Sequence, residues 1–317
     1  MKEQKNYVRH LNQVEAINDC AIRNPQHLID LSEKSFHQEL SNIAVDLLKR
    51  KTKIVLLAGP SSSGKTTTAH MLGQCLAELG NDSQVISLDD FYKVPQEAPK
   101  NADGTPNFES IYALRIDDVQ RSLRELMEHS ACDKPQFDFH HHCPFKELQH
   151  IALKPGGIAI VEGIHALNPI FSDGIPKEGL IKIYISVKQG IEYKKEQLLG
   201  PNEVRMIRRI VRDYAFRSTN PAQTIAMWPS VMNGEYRYIK PFRSQADYTI
   251  NSLHAYEPCV FRTHAMRLLR DVEESEEKEY EIAHQLFFVL KLFRPISPEL
   301  VPKNSLLREF LGGGFYD

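Results

Sequence analysis

Short apolar runs alternate with longer amphipathic segments along most of the chain. Residues 54–58 and 158–161 are wholly apolar, and residues 181–187 are nearly so. Such runs are typical of strands that are buried on both faces of a parallel sheet. We predict strands at residues 53–58, 84–88, 158–161, 181–187 and 246–251. The helical spans between them predict an α/β fold, a doubly wound parallel sheet with helices on both faces.

The amphipathic segments define the rest of the organisation. Residues 67–79 carry apolar side chains at three- and four-residue spacing and end at Gly80, which predicts a helix with a glycine terminator. Residues 117–127 and 203–216 predict two further helices. Residues 135–139 and 148–153 predict the arms of a small antiparallel β-hairpin. We expect an N-terminal helical lead-in at 1–50, a main domain at 51–270 with a lid at about 190–220, and a helical extension at 271–317.

The composition and net charge of the chain limit the kinds of partner that it is expected to bind. The chain has 317 residues, 42% hydrophobic and 25% charged, and a net charge of −2. This balance gives no global basic excess for nucleic acid or an anionic membrane. Five scattered cysteines without C-x-x-C spacing predict a reducing, cytoplasmic setting. No signal-peptide core or membrane-spanning run is present, so we expect a small-molecule substrate and no membrane partner. The sequence leaves a homo-oligomer open.

A phosphate-binding loop follows the first predicted strand. The segment Gly-Pro-Ser-Ser-Ser-Gly-Lys-Thr at 59–66 matches G-x-x-x-x-G-K-[ST] between a strand and a helix. In such a loop the backbone amides and the helix N-terminus bind phosphates, the lysine reaches the β- and γ-phosphates, and the hydroxyl holds Mg²⁺. The motif predicts nucleotide contacts from Gly59, Ser61, Ser62, Ser63, Gly64, Lys65, Thr66 and Thr67. The alternative interpretation of this segment is a glycine-serine turn that happens to precede a helix.

The predicted helix at 203–216 places four arginines on one face. Arg205, Arg208, Arg209 and Arg212 follow the i, i+3, i+4, i+7 pattern. Guanidinium groups neutralise charge on a transferring phosphoryl group, so we predict a lid that closes over the nucleotide. Arg205 and Arg209 are predicted to bind the nucleotide, and Arg208 and Arg212 to assist catalysis. A solvated arginine face is the alternative.

Carboxylates follow two of the predicted strands. The strand at 84–88 is followed by Asp89 and Asp90, and the strand at 158–161 by Glu162. Ligands of open parallel sheets bind beyond the carboxyl ends of strands, so these groups can face the phosphate loop. Asp89 is the predicted base for an acceptor hydroxyl, with Asp90 as its local competitor. Glu162 is predicted to hold Mg²⁺ or a water on it. No N-K-x-D motif supports a GTPase.

Taken in order, these motifs resemble the uridine/cytidine kinase and phosphoribulokinase family over about residues 53–251. The resemblance rests on the phosphate loop, residues 87–92, 107–109, 135–139 with His142, 161–163 and the arginines of 205–217. Residues 228–231, 241–242, 246–247 and 305–313 are similar to a uridine-kinase-like branch often fused to threonyl-tRNA-synthetase-like domains. Residues 1–50 would then correspond to the linker.

The resemblance implies ATP- and Mg²⁺-dependent phosphorylation of a nucleoside 5′-hydroxyl. It assigns Asp89 as the base and Glu162 as the magnesium-associated carboxylate. Phe137 stands where the family usually has a tyrosine, and Cys143-Pro144 replaces a polar-basic pair. The predicted substrate-binding residues are Asp89, Tyr92, Glu109, Phe137, His142 and Arg208.

Other functions remain open at this point. The kinase could act on another small alcohol, such as a sugar phosphate or a pantothenate-like acceptor, or the fold could serve as an ATP-sensing or RNA-associated module. The run His140-His141-His142-Cys143 also suggests zinc. Adjacent residues of an extended arm point to opposite faces, so a hairpin tip with one substrate-facing histidine is favoured.

Overall fold

The computed structural model describes residues 7–101, 104–138, 141 and 143–316. Its strands in chain order are β1 (Ile54–Ala58), β2 (Ser83–Ser87), β3 (Ala131–Lys134), β4 (Phe137–Asp138), β5 (Cys143–Pro144), β6 (Gln149–Ala152), β7 (Ile158–Glu162), β8 (Leu180–Ser186), β9 (Ile191–Tyr193), β10 (Glu196–Leu199) and β11 (Tyr248–Asn251). Its helices are α1 (Val14–Arg23), α2 (Pro25–Lys49), α3 (Lys65–Glu78), α4 (Ile116–His129), α5 (Pro169–Ser172), α6 (Pro201–Phe216), α7 (Pro221–Gly234), α8 (Glu257–Arg270), α9 (Glu277–Lys291) and α10 (Arg308–Leu311).

A five-stranded parallel sheet forms the centre, in the order β11-β8-β1-β7-β2. The predicted doubly wound α/β fold is confirmed, and all five predicted strands lie within a few residues of the observed ones. Strand β1 pairs with β7 on one side and β8 on the other. The carboxyl ends of β1, β2 and β7 therefore lie side by side. The phosphate loop follows β1, and two of the predicted carboxylates, Asp89 and Glu162, lie at the ends of β2 and β7.

Two hydrophobic cores cover the two faces of this sheet. Side chains of β1 alternate between them: Val55 and Leu57 enter the core that includes α1, α2, α3, α6 and α8–α10, while Ile54 and Leu56 enter the core around α4 and α5. This alternation follows from the two-residue period of a strand. The N-terminal helices and the C-terminal segment thus share one core with the sheet. Among the described helices, none has the length and apolarity to cross a membrane.

The hairpin differs from its predicted pairing. The arm at 148–153 contains β6, but β6 pairs with β3, and β4 pairs separately with β5 at the tip. The two ladders are separated at Pro135, which has no N–H to donate. The polar run of β3 gave no apolar pattern that would have marked it as a strand.

Candidate active site

The phosphate loop curls between β1 and α3 with tight backbone approaches. A Cβ on Gly59 would lie 2.1 Å from the Ile185 carbonyl oxygen, so only glycine fits there. Gly64 has φ +87° and caps the start of α3, a conformation that glycine adopts without strain. Within the described residues, the buried hydroxyls of Ser62 and Ser63 have no hydrogen-bond partner. Unpaired donors at a helix N-terminus are what a bound phosphate would satisfy.

A cluster of oxygen ligands lies beside the loop. The buried Glu162 carboxylate ends β7 and accepts hydrogen bonds from Thr66 Oγ1 at 3.2 Å and Ser87 Oγ at 2.8 Å. Burial, and next the Asp89 charge, raise the pKa of Glu162 to about 7. Hydroxyl and carboxylate oxygens are the ligands that Mg²⁺ takes, usually together with phosphates and waters. The donor set therefore fits a magnesium ion.

The two aspartates after β2 have different surroundings. Asp90 accepts a hydrogen bond from the buried Lys134 ammonium at 2.5 Å and another from the Phe137 backbone N–H at 3.3 Å. Asp89 is the more exposed of the two. Desolvation by the surrounding protein raises the pKa of Asp89, and the charges of Lys65 and then Arg217 oppose that rise. Asp90 is thus occupied by an ion pair with Lys134, while Asp89 remains exposed and its charge interacts with that of Lys65.

Aromatic and acidic side chains line the crevice next to Asp89. Tyr92 donates to the Phe108 carbonyl at 3.1 Å and packs edge-on against the Phe137 ring, with centroids 6.5 Å apart. Burial raises the pKa of Glu109, and the charges of Arg209 and then Lys65 lower it. The predicted residues Tyr92, Glu109 and Phe137 therefore lie around one crevice, whereas His142 lies outside the described residues.

His165 is a member of this crevice that no sequence motif identified. Its ring is 1% exposed and lies 6.0 Å, centroid to centroid, from that of Tyr238. Burial lowers the pKa of His165 to about 4, with the Glu109 backbone acting in the opposite direction. The imidazole is consequently neutral at physiological pH. The signal in the sequence that could have pointed to His165 as a crevice residue is its position three residues after Glu162.

In helix α6, two of the four arginines predicted to form a lid over the nucleotide are held in buried ion pairs. Arg205 donates from both terminal nitrogens to Glu235 at 2.7 Å. Arg208 donates to the two Glu257 carboxylate oxygens at 2.6 and 2.9 Å, and both arginines are at most 1% exposed. The predicted nucleotide-binding role of Arg205 and the catalytic and substrate-binding roles of Arg208 do not agree with these contacts. The reason is packing: α7, α8 and α10 surround the helix, and buried guanidinium groups require carboxylate partners.

Arg208 nevertheless touches the phosphate loop. Its Nη1 donates to the Ser62 carbonyl at 3.3 Å, and its Nη2 donates to the Ser252 carbonyl at 2.6 Å. The buried Arg208–Glu257 pair thus ties the backbone of the loop to the segment after β11. This contact supports the shape of the loop.

The remaining arginines lie at the mouth of the crevice. Arg209 donates to Ser61 Oγ at 2.9 Å, and Arg212 donates to Asp213 at 2.7 and 2.8 Å. Arg217, the residue after α6, lies 3.6 Å from the same aspartate. Burial lowers the pKa of Arg209 and of Arg217, and the Asp213 charge acts against it. Arg209 Nε also lies 3.1 Å from the Asp213 carboxylate. Three guanidinium groups thus share one carboxylate and leave an excess of positive charge near the phosphate loop.

Several known proteins resemble this chain over its central region. The family model described as "Phosphoribulokinase / Uridine kinase family" matches residues 54–257. The uridine kinase of Leuconostoc citreum is 24% identical over 199 residues, which is 62% of this chain and 86% of that one. The uridine kinase of Borrelia duttonii is 29% identical over 200 residues, 62% of this chain and 85% of that one. A possible uridine kinase from Bacillus stearothermophilus superposes with a TM-score of 0.38 at 18% identity, over 63% of this chain and 88% of that one.

The matched region includes the phosphate loop, the carboxylates at the ends of β2 and β7, the arginines of α6 and the start of α8. A kinase that acts on a small substrate is the activity common to this family. The chain belongs to the phosphoribulokinase and uridine kinase family.

Proposed function

We propose that the protein transfers the γ-phosphoryl group of ATP to the 5′-hydroxyl of a nucleoside of the uridine or cytidine type. The observation that carries this proposal is the exposed Asp89 carboxylate at the end of β2, whose charge interacts with those of Lys65, Arg217 and Arg212. A base that lies next to a phosphate-binding lysine is what transfer to a hydroxyl requires.

On the nucleotide side, the loop amides and Lys65 would hold the phosphates. Thr66 and Glu162 would hold Mg²⁺, which neutralises charge on the phosphates when it is bound. Arg209, Arg212 and Arg217 would stabilise the charge that spreads over the transferred group. Because the Asp213 carboxylate holds these guanidinium groups in place, little reorganisation would be needed during transfer.

On the acceptor side, Asp89 would orient the hydroxyl and take its proton. The acceptor oxygen forms a bond to the γ-phosphorus while the bond to the β,γ-bridging oxygen breaks, and ADP leaves with that electron pair. Glu109 would accept hydrogen bonds from vicinal hydroxyls of a ribose. Tyr92 and Phe137 would contact the base through their rings, and the resemblance assigns a further base contact to His142.

A second acceptor class deserves testing because of Phe137. Where the resemblance leads us to expect a tyrosine, this ring offers no hydroxyl to a base, and a site discriminates strongly only through the polar groups it pairs. Another small alcohol, such as a sugar phosphate or a pantothenate-like molecule, would be compatible with the same base and the same phosphate loop.

A panel assay of ADP release tests both candidates. Purified protein with Mg²⁺ and ATP would be offered uridine, cytidine, adenosine, ribulose 5-phosphate, pantothenate and fructose, with 5′-deoxyuridine as the matched control that lacks the reacting hydroxyl. We expect turnover with uridine or cytidine and none with 5′-deoxyuridine. Turnover confined to a non-nucleoside alcohol would overturn the nucleoside assignment. Acceptor-independent ADP release would count against a kinase.

A further inference from the structure

The C-terminal tail, residues 305–316, packs directly on the phosphate loop. Leu306 is fully buried and covers Gly64, where an added Cβ would lie 2.5 Å from the Leu306 Cδ1 atom. Phe310 is also fully buried and lies beneath the Arg208 guanidinium, 5.3 Å from ring centroid to Cζ. Tyr316 stacks on His70 of α3. The tail is therefore a wall of the nucleotide site proposed above.

One side chain of this wall reaches the start of α3. Glu309 Oε2 accepts a hydrogen bond from Thr67 Oγ1 at 3.1 Å and lies 3.5 Å from the Thr67 backbone nitrogen. Thr67 is the third residue of α3, and the first intrahelical bond runs from the Thr68 N–H to the Gly64 carbonyl. The Thr67 N–H thus has no acceptor within the helix. Such an amide in a phosphate loop is a phosphate donor.

A carboxylate in this position resembles the anion that the loop is built to hold. The Glu309 charge also acts across the site, because Glu309 is among the groups that raise the pKa of Glu162. A nucleotide phosphate at the same amide would meet a second negative charge at close range. The two anions would compete for the one donor.

We propose that Glu309 is an autoinhibitory gate, a built-in anion that occupies the Thr67 amide and must swing aside before a nucleotide phosphate can bind there. This inference rests on the proposed nucleotide site. The required movement is limited to the Glu309 side chain, because the tail is anchored on both sides of Glu309. Before it, the Ser305 hydroxyl donates to Glu33 at 2.6 Å, and after it Phe310 is buried. Glu309 itself is only partly buried.

Calorimetric titration of ADP and of pyrophosphate tests the gate without any turnover. We compare the wild type with Glu309→Gln, which keeps the shape of the side chain and removes its charge. Glu299→Gln is the matched control, since Glu299 is an exposed glutamate that lies six residues before the tail. We expect Glu309→Gln to bind both probes about tenfold more tightly, the order for relief of one carboxylate–phosphate contact near water. Glu299→Gln should bind as the wild type does. Glu309→Ala carries the same expectation and serves if the glutamine variant fails to fold.

The outcomes separate this inference from the proposed function. Equal affinities in the wild type and the Glu309 variants would overturn the gate and leave the nucleotide site intact. Weaker binding in the variants would also overturn it, because Glu309 would then support the nucleotide. Absence of binding in all proteins would overturn both the gate and the proposed function.

Discussion

Replacement of Glu162 by glutamine should change how the stability of the ligand-free protein depends on pH. Glu162 is 3% exposed, and burial followed by the Asp89 charge raises its pKa from 4.5 to about 7. Glutamine keeps nearly the same shape, and its amide oxygen can still accept the hydrogen bonds of Thr66 and Ser87. The substitution therefore removes the titrating group and little else.

The sign follows from proton linkage. Between about pH 4.5 and pH 7 the folded protein keeps a proton on Glu162 that the unfolded chain has lost. The free energy of unfolding therefore falls as pH rises through this window. One pKa unit corresponds to about 1.4 kcal/mol, so the full rise from 4.5 to about 7 amounts to at most about 3.5 kcal/mol at pH 8. Glu162→Gln lacks this loss and should be the more stable protein at pH 8, by up to that amount.

Urea unfolding in EDTA from pH 4.5 to 8.5 measures the effect. Other groups titrate in the same range, including His165 with its pKa lowered to about 4. The informative quantity is therefore the difference between variant and wild type at each pH. We expect the difference to grow with pH up to about 7 and then level off. In a separate series without EDTA, added Mg²⁺ should stabilise the wild type more than the variant at pH 8. A difference that is constant with pH, or that grows towards acid, would refute the reasoning.

Two buried ion pairs give further predictions. Arg208→Met should destabilise the protein by about 3–5 kcal/mol, because it leaves the Glu257 carboxylate buried without a cation. The double variant Arg208→Met/Glu257→Met should recover much of that loss in urea unfolding, and a double variant as unstable as the single one would contradict the explanation. Lys134→Met should cost about 2 kcal/mol, because Asp90 is only partly buried. Lys134→Met should also lower kcat even though Asp90 is still present, because the turn that presents Asp89 loses its anchor. An unchanged kcat would argue against this positioning role of Lys134.

The phosphate loop and the sheet could be predicted because their signals are local. Residues 59–66 carry the loop in eight consecutive positions, and the strand before it is marked by five apolar residues. The signal for the loop therefore lies in one short segment, although distant residues such as Arg208 also contact the loop in the fold. The carboxylates at Asp89 and Glu162 followed from the same rule, that the ends of parallel strands share one edge.

The arginines of α6 show what a local sequence pattern does not predict. Helical spacing placed Arg205 and Arg208 on a common face, but their partners Glu235 and Glu257 lie 30 and 49 residues further on. Which face of a charged helix is buried depends on those partners. The contact of Glu309 with Thr67 spans 242 residues and has no motif. The different surroundings of Asp89 and Asp90 likewise depend on Lys134, which pairs with Asp90 and belongs to a strand that the apolar pattern did not reveal.

The central claim is that Lys65 and Asp89 serve one reaction, the first by holding the nucleotide and the second by taking the acceptor proton. The most direct measurement compares Asp89→Asn with the wild type in two assays, ADP affinity by calorimetry and acceptor-dependent ADP release with Mg²⁺ and ATP. Lys65→Ala is the control for loss of phosphate contacts. We predict that Asp89→Asn binds ADP as the wild type does and loses acceptor-dependent release by at least about a hundredfold, the range for removal of a general base. Full acceptor-dependent release in Asp89→Asn would contradict the claim.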